Sequence, residues 1–329
     1  MKILGLGNAL VDIMTKLQDD TILEQFKLPK GSMQLVDLRF SGHVLEGTEH
    51  LEQSLSSGGS AANTIHGLAR LGVETGFLGK VGDDKYGEFF RNDMSLHNIN
   101  PILPAGTAPS GRAIALVSTD AERTFATYLG AAIELTPNDL HPHIFAAYDM
   151  LYIEGYLVQN YELVRAAVVM AKEAGLKIAI DLASYNVVES NLDFLTDIVT
   201  EYVDILFANE DEAKAFTGKS PEEAIEEIAE YVETVVVKVG EQGSLIRSGG
   251  ELYRAGVIDV QCIDTTGAGD LYASGFLYGM TRGFSPELCG RIGSLLAGRV
   301  IEVVGSKMDE VRWQGIYGEL KMMGAGIAS

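Results

Sequence analysis

Residues 176–210 read "LKIAIDLASYNVVESNLDFLTDIVTEYVDILFANE", and this stretch decides the fold class. "LKIAIDLA" is a short apolar run with few polar interruptions, the pattern of a strand covered on both faces. "NLDFLTDIVTEY" then places its apolar residues at helical spacing, and "VDILFANE" is a second buried strand. Two buried strands with an amphipathic helix between them make a parallel pair joined by a crossover.

The alternation continues outward in both directions. "KILGLGN", "VETGFLGKVG" and "DMLYIEGY" are strands upstream, and "TVVVKVG" is one downstream. Helical runs such as "AANTIHGLARLG", "KYGEFFRNDMSLHN", "YELVRAAVVMAKEAG" and "EEAIEEIAEYV" separate them. "GSLIRSGGELYRAG" reads as a hairpin, and "GDLYASGFLYGMTRG" and "PELCGRIGSLLAGRVIEVVG" as two closing helices. The expectation is an α/β fold: a three-layer arrangement with a mostly parallel central sheet, in one domain over residues 1–329. Two regions break the rhythm. Residues about 13–18 with 31–37, and residues about 110–130, read as strand pairs without crossover helices. They are expected to form a small appended sheet, a lid over the active-site edge built from segments about 13–37 and 110–130.

Composition narrows the functions. The 329 residues are 47% hydrophobic and 22% charged, an ordinary globular balance. Lys plus Arg is 25 against 46 for Asp plus Glu, a net charge of −21, which repels nucleic acid and anionic membranes. Two cysteines, Cys262 and Cys289, make no disulfide framework and suit a reducing cytoplasm. The six histidines are scattered apart from "HPH" at 141–143, read as a solvated loop, so no histidine metal site is signalled.

Chemistry concentrates in "CIDTTGAGDLYASGFLYG", residues 262–279. Gly267, Ala268 and Gly269 carry little or no side chain, which lets a ligand approach the backbone. They fall where the following helix begins, an electron-poor end with unpartnered N–H groups that binds anions. Asp270 brings a carboxylate to the same place. Asp264 and Asp270 read plainly as helix caps, but a cap does not need three small neighbours.

Four other stretches stand out. "GLGNALVD" begins like a dinucleotide fingerprint, but Leu10 stands at the third glycine, so a nicotinamide cofactor is not expected. Asn8 and Asp12 remain as polar residues at the exit of an apolar strand. "SSGGSAANT" puts Gly59 and Asn63 at a helix start, either as loop and cap or as the wall of a pocket for a hydroxyl-rich molecule. "FANEDEAKAF" places Asn209 and Glu212 three residues apart at the carboxyl end of a strand, where parallel sheets bind ligands; magnesium held through water would suit those oxygens. "VVVKVGEQGS" ends a strand with Lys238, Gly240 and Gly243, either a tight turn or a backbone surface for a nucleotide.

"GGSAAN" (58–63), "NEDE" (209–212), "KVGEQG" (238–243) and "DTTGAGD" (264–270), in this order, resemble the ribokinase-like (PfkB) family of sugar and nucleoside kinases over essentially the whole chain. The resemblance implies a mostly parallel sheet with helices on both faces and a small β lid. It implies an ATP-dependent phosphotransferase acting on a hydroxymethyl group, with magnesium. Asp270 would be the catalytic base, and Gly267, Ala268 and Gly269 the anion hole for the transferring phosphoryl group. Asn209 and Glu212 match an element that orders magnesium-bound water, and Lys238, Gly240 and Gly243 match the nucleotide-side loop. Asp264 and Thr266 match positions that in many members ligate a monovalent cation such as potassium, with Thr266 on the nucleotide side. Asn8, Asp12, Gly59 and Asn63 match positions that hydrogen-bond acceptor hydroxyls, and Glu154 falls where an acidic sugar-side residue is found.

One departure bears on the acceptor. Ribokinase proper has a lysine after the glycine pair, where this chain has Ser60, and nothing at 58–63 supplies a cation for a phosphorylated sugar. "GNALVDI" and "GGSAANT" look more like the adenosine-kinase branch, so a ribonucleoside or unphosphorylated sugar is expected. A ribokinase- or fructokinase-type sugar kinase and a catalytically silent nucleotide- or sugar-binding relative are the alternatives. The chain is expected to act as a monomer or a homodimer.

Overall fold

The computed structural model describes residues 1–120 and 122–326. Fourteen strands form two sheets among these residues. The first half of the chain supplies β1 (Ile3–Leu6), β2 (Leu10–Lys16), β3 (Met33–Leu35), β4 (Gln53–Gly58), β5 (Thr75–Leu78), β6 (Ile99–Ile102), β7 (Gly111–Val117) and β8 (Arg123–Tyr128). The second half supplies β9 (Met150–Glu154), β10 (Lys177–Asp181), β11 (Ile205–Asn209), β12 (Thr234–Lys238), β13 (Ser244–Ser248) and β14 (Glu251–Ala255).

The larger sheet has the order β14-β13-β12-β11-β10-β9-β1-β5-β6. All its pairings are parallel except those of the β12–β13 and β13–β14 hairpins. Its strands are apolar on both faces, as the continuous hydrophobic runs predict. Ile3 of β1 and Val236 of β12 enter one buried cluster, while Leu4, Leu6, Val235 and Val237 enter the other. Helices therefore cover both faces, and the expected α/β architecture is present.

The smaller sheet has five strands in the order β3-β8-β7-β2-β4. It differs from the sequence expectation in three ways. Residues 13–18 do not pair with 31–37: β2 runs antiparallel to β4 and parallel to β7, and β3 pairs with β8. β4 is a strand that the sequence does not announce, because Ser54, Ser56 and Ser57 carry no hydrophobic alternation; its outer half is exposed at the sheet edge. Helices Thr21–Phe26 and Leu38–Thr48 lie between β2 and β4, where no crossover helix is expected. A helix at Glu310–Met322 also follows the two expected closing helices. Among the described residues, no helix is long and apolar enough to cross a membrane.

Candidate active site

The carboxyl ends of four adjacent strands carry the first polar row of the site. Glu154, Asp181, Asn209 and Lys238 are the last residues of β9, β10, β11 and β12, with Glu154 level with Asp181 and Asn209 level with Lys238. This edge is where an open parallel sheet meets its ligands. The Ala268–Thr281 helix points its N-terminus at the same edge, so "DTTGAGD" lies beside Lys238: a Cβ built on Gly269 would come 3.1 Å from the Lys238 Nζ.

Gly267 makes the turn into this helix in the left-handed region, at φ 76°. The Thr266 amide donates to Asp264 (2.7 Å), and the Ala268 amide donates to the Thr265 carbonyl (3.2 Å). The Gly267, Gly269 and Asp270 amides have no acceptor among the described residues. Of the three residues expected to cradle a phosphoryl group, Gly267 and Gly269 keep free N–H groups, Ala268 has a local partner, and Asp270 adds a third free amide.

The Asp270 carboxylate is held from the other side of the cleft. Ser60 Oγ donates to one oxygen (2.7 Å) and Asn63 Nδ2 to the other (3.0 Å). Ser306 Oγ in turn donates to Asn63 Oδ1 (2.9 Å), which fixes the amide's orientation. Burial pushes Asp270 up to about 6 despite these donors, with Asp181 also raising it and Lys238 lowering it. It is ionised at neutral pH yet close enough to the working range to take a proton.

Asp12 on β2 lies over Gly58 of the paired strand β4, where any side chain would collide with its carboxyl group. It has no hydrogen-bond partner among the described residues, and burial raises it to about 7. That carboxyl group keeps its oxygens open to a ligand.

Glu154 behaves differently. It is 1% exposed and accepts from the Asn8 amide (2.9 Å), Asn8 Nδ2 (2.6 Å) and the Ala61 amide (2.9 Å). Both oxygens are taken within the protein. The expectation of a sugar-side acid is therefore corrected: Glu154 fastens the exit of β1 to the first turn of the Ser60–Arg70 helix, since those buried N–H groups need an acceptor. Asn8 spends its amide nitrogen in the same contact. Gly59 is needed for the backbone itself, because at φ 98° a Cβ would overlap the Asn8 carbonyl oxygen.

On the nucleotide side, a cleft of about 890 Å³ is lined by Asn209, Lys238, Gly240, Gly243, Thr265, Ala268 and Gly269, with Val257, Ile258 and Ile301 as an apolar wall; Thr266, expected on this side, is not in the lining. Gly240 faces open space and leaves its backbone accessible. Gly243 does not: its missing side chain makes room for the Ala255 carbonyl in the β13–β14 hairpin. Lys238 Nζ pairs with Asp181 (2.9 Å). Burial works to lower the Lys238 pKa, but Asp181 and Glu212 outweigh it and the pKa is raised.

Asn209 and Glu212 form a reciprocal cap. The Glu212 amide donates to Asn209 Oδ1 (2.8 Å), while the Asn209 amide and Nδ2 donate to the Glu212 carboxylate (2.7 and 2.8 Å). The plain helix-start reading of this pair is thus realised. Among the described residues, no group of three or more His, Cys, Asp or Glu is placed to hold a metal directly. Glu212 is raised by burial and by Asp181.

Asp264 is already occupied. The Arg123 guanidinium on β8 makes a two-pronged ion pair with it, and the Gly305 amide donates to it as well (2.6 Å). The guanidinium stands where the resemblance implied a monovalent cation. Arg123, Asp181, Ser60, Ser306 and Lys307 are the site residues that sequence reasoning missed. Ser60 was legible as the small residue after the glycine pair; the others lie far along the chain with no local motif.

The buried acids set a stability profile. Burial pushes Asp12, Glu154 and Asp270 up to about 7, 7 and 6 in the folded protein, from ordinary values of 3.8, 4.5 and 3.8. Each holds its proton more tightly when folded. Its contribution is therefore complete below the unfolded value and is lost as pH rises through the folded one. His66, buried and held neutral, works the other way but over lower pH. The ligand-free protein is expected to lose Tm between pH 6 and pH 8, less steeply in Asp12→Asn; calorimetry showing a flat or rising Tm across that window would refute the assignment.

An ionisable carboxyl group beside free amides at a helix start, on the carboxyl edge of a parallel sheet with a second sheet beside it, suits the transfer of a phosphoryl group to an alcohol. Comparison with known proteins agrees. The chain belongs to the pfkB family of carbohydrate kinases, whose model matches residues 39–311. It is 33% identical to a probable sugar kinase from Rhizobium etli, with a TM-score of 0.85 over 98% of each chain. It is 34% identical to the adenosine kinase of Sinorhizobium meliloti, with a TM-score of 0.84 over 97% of this chain and 99% of the other. It is 30% identical to the 5-dehydro-2-deoxygluconokinase of Bacillus subtilis over 260 residues, 74% of this chain and 80% of that one. The protein is an ATP-dependent sugar or nucleoside kinase.

Proposed function

We propose that this kinase phosphorylates a hydroxymethyl group of a ribonucleoside or unphosphorylated sugar, with Asp270 as the base. The observation that carries the reading is the Asp270 carboxylate at the head of the Ala268–Thr281 helix, held by Ser60 and Asn63 beside the free amides of Gly267 and Gly269.

The acceptor hydroxyl gives its proton to Asp270 as its oxygen attacks the terminal phosphorus of ATP, and the bond from that phosphorus to the bridging oxygen breaks to release ADP. The helix amides then meet the charge on the phosphoryl oxygens. Pre-aimed donors of this sort contribute about 3–4 kcal/mol each in the oxyanion holes of acyl-transfer enzymes. Lys238, held by Asp181, supplies a fixed cation on the donor side. Asn209, Glu212 and Asp181 offer the oxygens that would reach the waters of a magnesium ion, which neutralises phosphate charge when bound. Asp12, Asn63 and Gly59 line the acceptor side. The smaller sheet acts as the lid, and Arg123 links it to the phosphate end through Asp264. Closure excludes water that would otherwise hydrolyse ATP. Asp264 is given no monovalent cation. The enzyme works in the cytoplasm, where the unpaired Cys262 and Cys289 stay reduced.

The test is ATP turnover against adenosine, inosine, ribose, fructose and 5-dehydro-2-deoxygluconate, with product phosphorylation followed by mass spectrometry. Transfer to a nucleoside or neutral sugar is expected. Transfer to 5-dehydro-2-deoxygluconate alone would move the acceptor to acidic sugars.

A further inference from the structure

Lys307 has no place in the sequence motifs, yet it reaches the centre of the site. It follows Gly305 and Ser306, whose amide and hydroxyl contact Asp264 and Asn63. The loop therefore sits between the phosphate end and the Ser60–Arg70 helix, with Met14 of β2 packed against it (3.9 Å from a Cβ built on Gly305). The Lys307 ammonium is buried and has no hydrogen-bond partner among the described residues. A buried ammonium left in that state is destabilising, so a partner from outside the protein is favoured. Burial lowers its pKa to about 8, although Asp93, Asp12 and Asp270 all act to raise it.

Two of the surrounding groups have their contacts filled, and a third carries no charge. Asp93 accepts from the Ser57 amide (3.1 Å) and lies 3.4 Å from His97 Nδ1, Asp270 is held by Ser60 and Asn63, and buried His66 stays neutral. Asp12 alone is as unpartnered as Lys307. The pair is an open donor and an open acceptor beside the base. The three carboxylates already exceed the single ammonium, so a further negative charge would be repelled.

We infer that Lys307 is an acceptor-binding residue: it donates to an uncharged oxygen of the bound sugar or nucleoside while Asp12 accepts from the neighbouring hydroxyl. The ligand class is a neutral compound with adjacent oxygens, and the inference rests on the acceptor-site reading above. It also supplies what residues 58–63 lack, a cation on the acceptor side brought from the far end of the chain.

The test compares wild type, Lys307→Met and Lys307→Gln with adenosine, 2′-deoxyadenosine, 3′-deoxyadenosine, ribose and 2-deoxyribose. Lys307→Met is expected to raise KM for the parent acceptor at least tenfold, with KM for ATP unchanged within twofold. Lys307→Gln, which keeps a donor, falls between. The penalty shrinks for the analogue lacking the bound oxygen, and Tm holds or rises because an unpaired charge has gone. An unchanged acceptor KM, or a lowered Tm with both KM values altered equally, overturns the inference and makes Lys307 a structural cation. If wild type turns over no acceptor of the panel, the acceptor-site reading itself falls and takes this one with it; a variant matching an active wild type sinks Lys307 alone.

Discussion

Asp270→Asn is expected to reduce turnover by a factor on the order of 10²–10⁴, the range for losing a positioned general base. Affinity for ATP should stay near wild type, because the Gly267 and Gly269 amides and the Lys238–Asp181 pair are untouched. Folding should also survive. The substituted amide can still accept from Ser60 or from Asn63, and the cost of ionising a buried acid disappears, so Tm at pH 7 is expected to hold or increase. A residue that lowers stability while raising rate is behaving as a catalytic group. Steady-state kinetics on the accepted substrate, with ATP titrated calorimetrically, decides it: turnover close to wild type would mean that another group takes the proton.

Gly59→Ala is expected to damage fold and activity together. At φ 98° an L-residue is strained by roughly 1–2 kcal/mol, and the added carbon also overlaps the Asn8 carbonyl oxygen, which is backbone and cannot rotate away. The Asn8 turn is itself fastened to Glu154, so relief by displacement breaks buried hydrogen bonds. The turn also sets the positions of Ser60 and Asn63, the two donors to Asp270. A fall in Tm of many degrees and a large loss of kcat should come together. Gly240→Ala is the control: its φ is also positive, at 54°, but nothing lies within 4 Å of the added carbon. Similar melting temperatures for the two variants would show that the Gly59 turn is not rigid.

Much of the architecture was legible because the strands of the larger sheet are buried on both faces and announce themselves as unbroken apolar runs. Every strand from β9 to β14 is of that kind or belongs to a hairpin marked by "SGG". The smaller sheet was harder. β4 is half exposed and serine-rich, and its pairing with β2 depends on a chain reversal through two helices that no local pattern specifies. The helix at Glu310–Met322 buries only Trp313, Ile316 and Leu320, too thin an apolar stripe to stand out.

The site divides along the same line. Asp270, Asn63, Lys238 and Asp12 sit in or beside glycine-rich turns, and their positions follow from short-range rules. Glu154 was legible as an acid at a strand end but not in its orientation, which depends on amides some 146 and 93 residues away in sequence. Asp264 shows the same limit. Its motif was plain, and its partner Arg123 comes from 141 residues upstream.

Asp12 belongs to the smaller sheet, whereas Asp270 and the free amides of Gly267 and Gly269 belong to the larger body. The two are joined near Asp12 by a turn of three residues, Gly7 to Ala9, between β1 and β2. Side chains on the smaller sheet can thus be exchanged to suit another metabolite while the helix start and its carboxylate stay as they are.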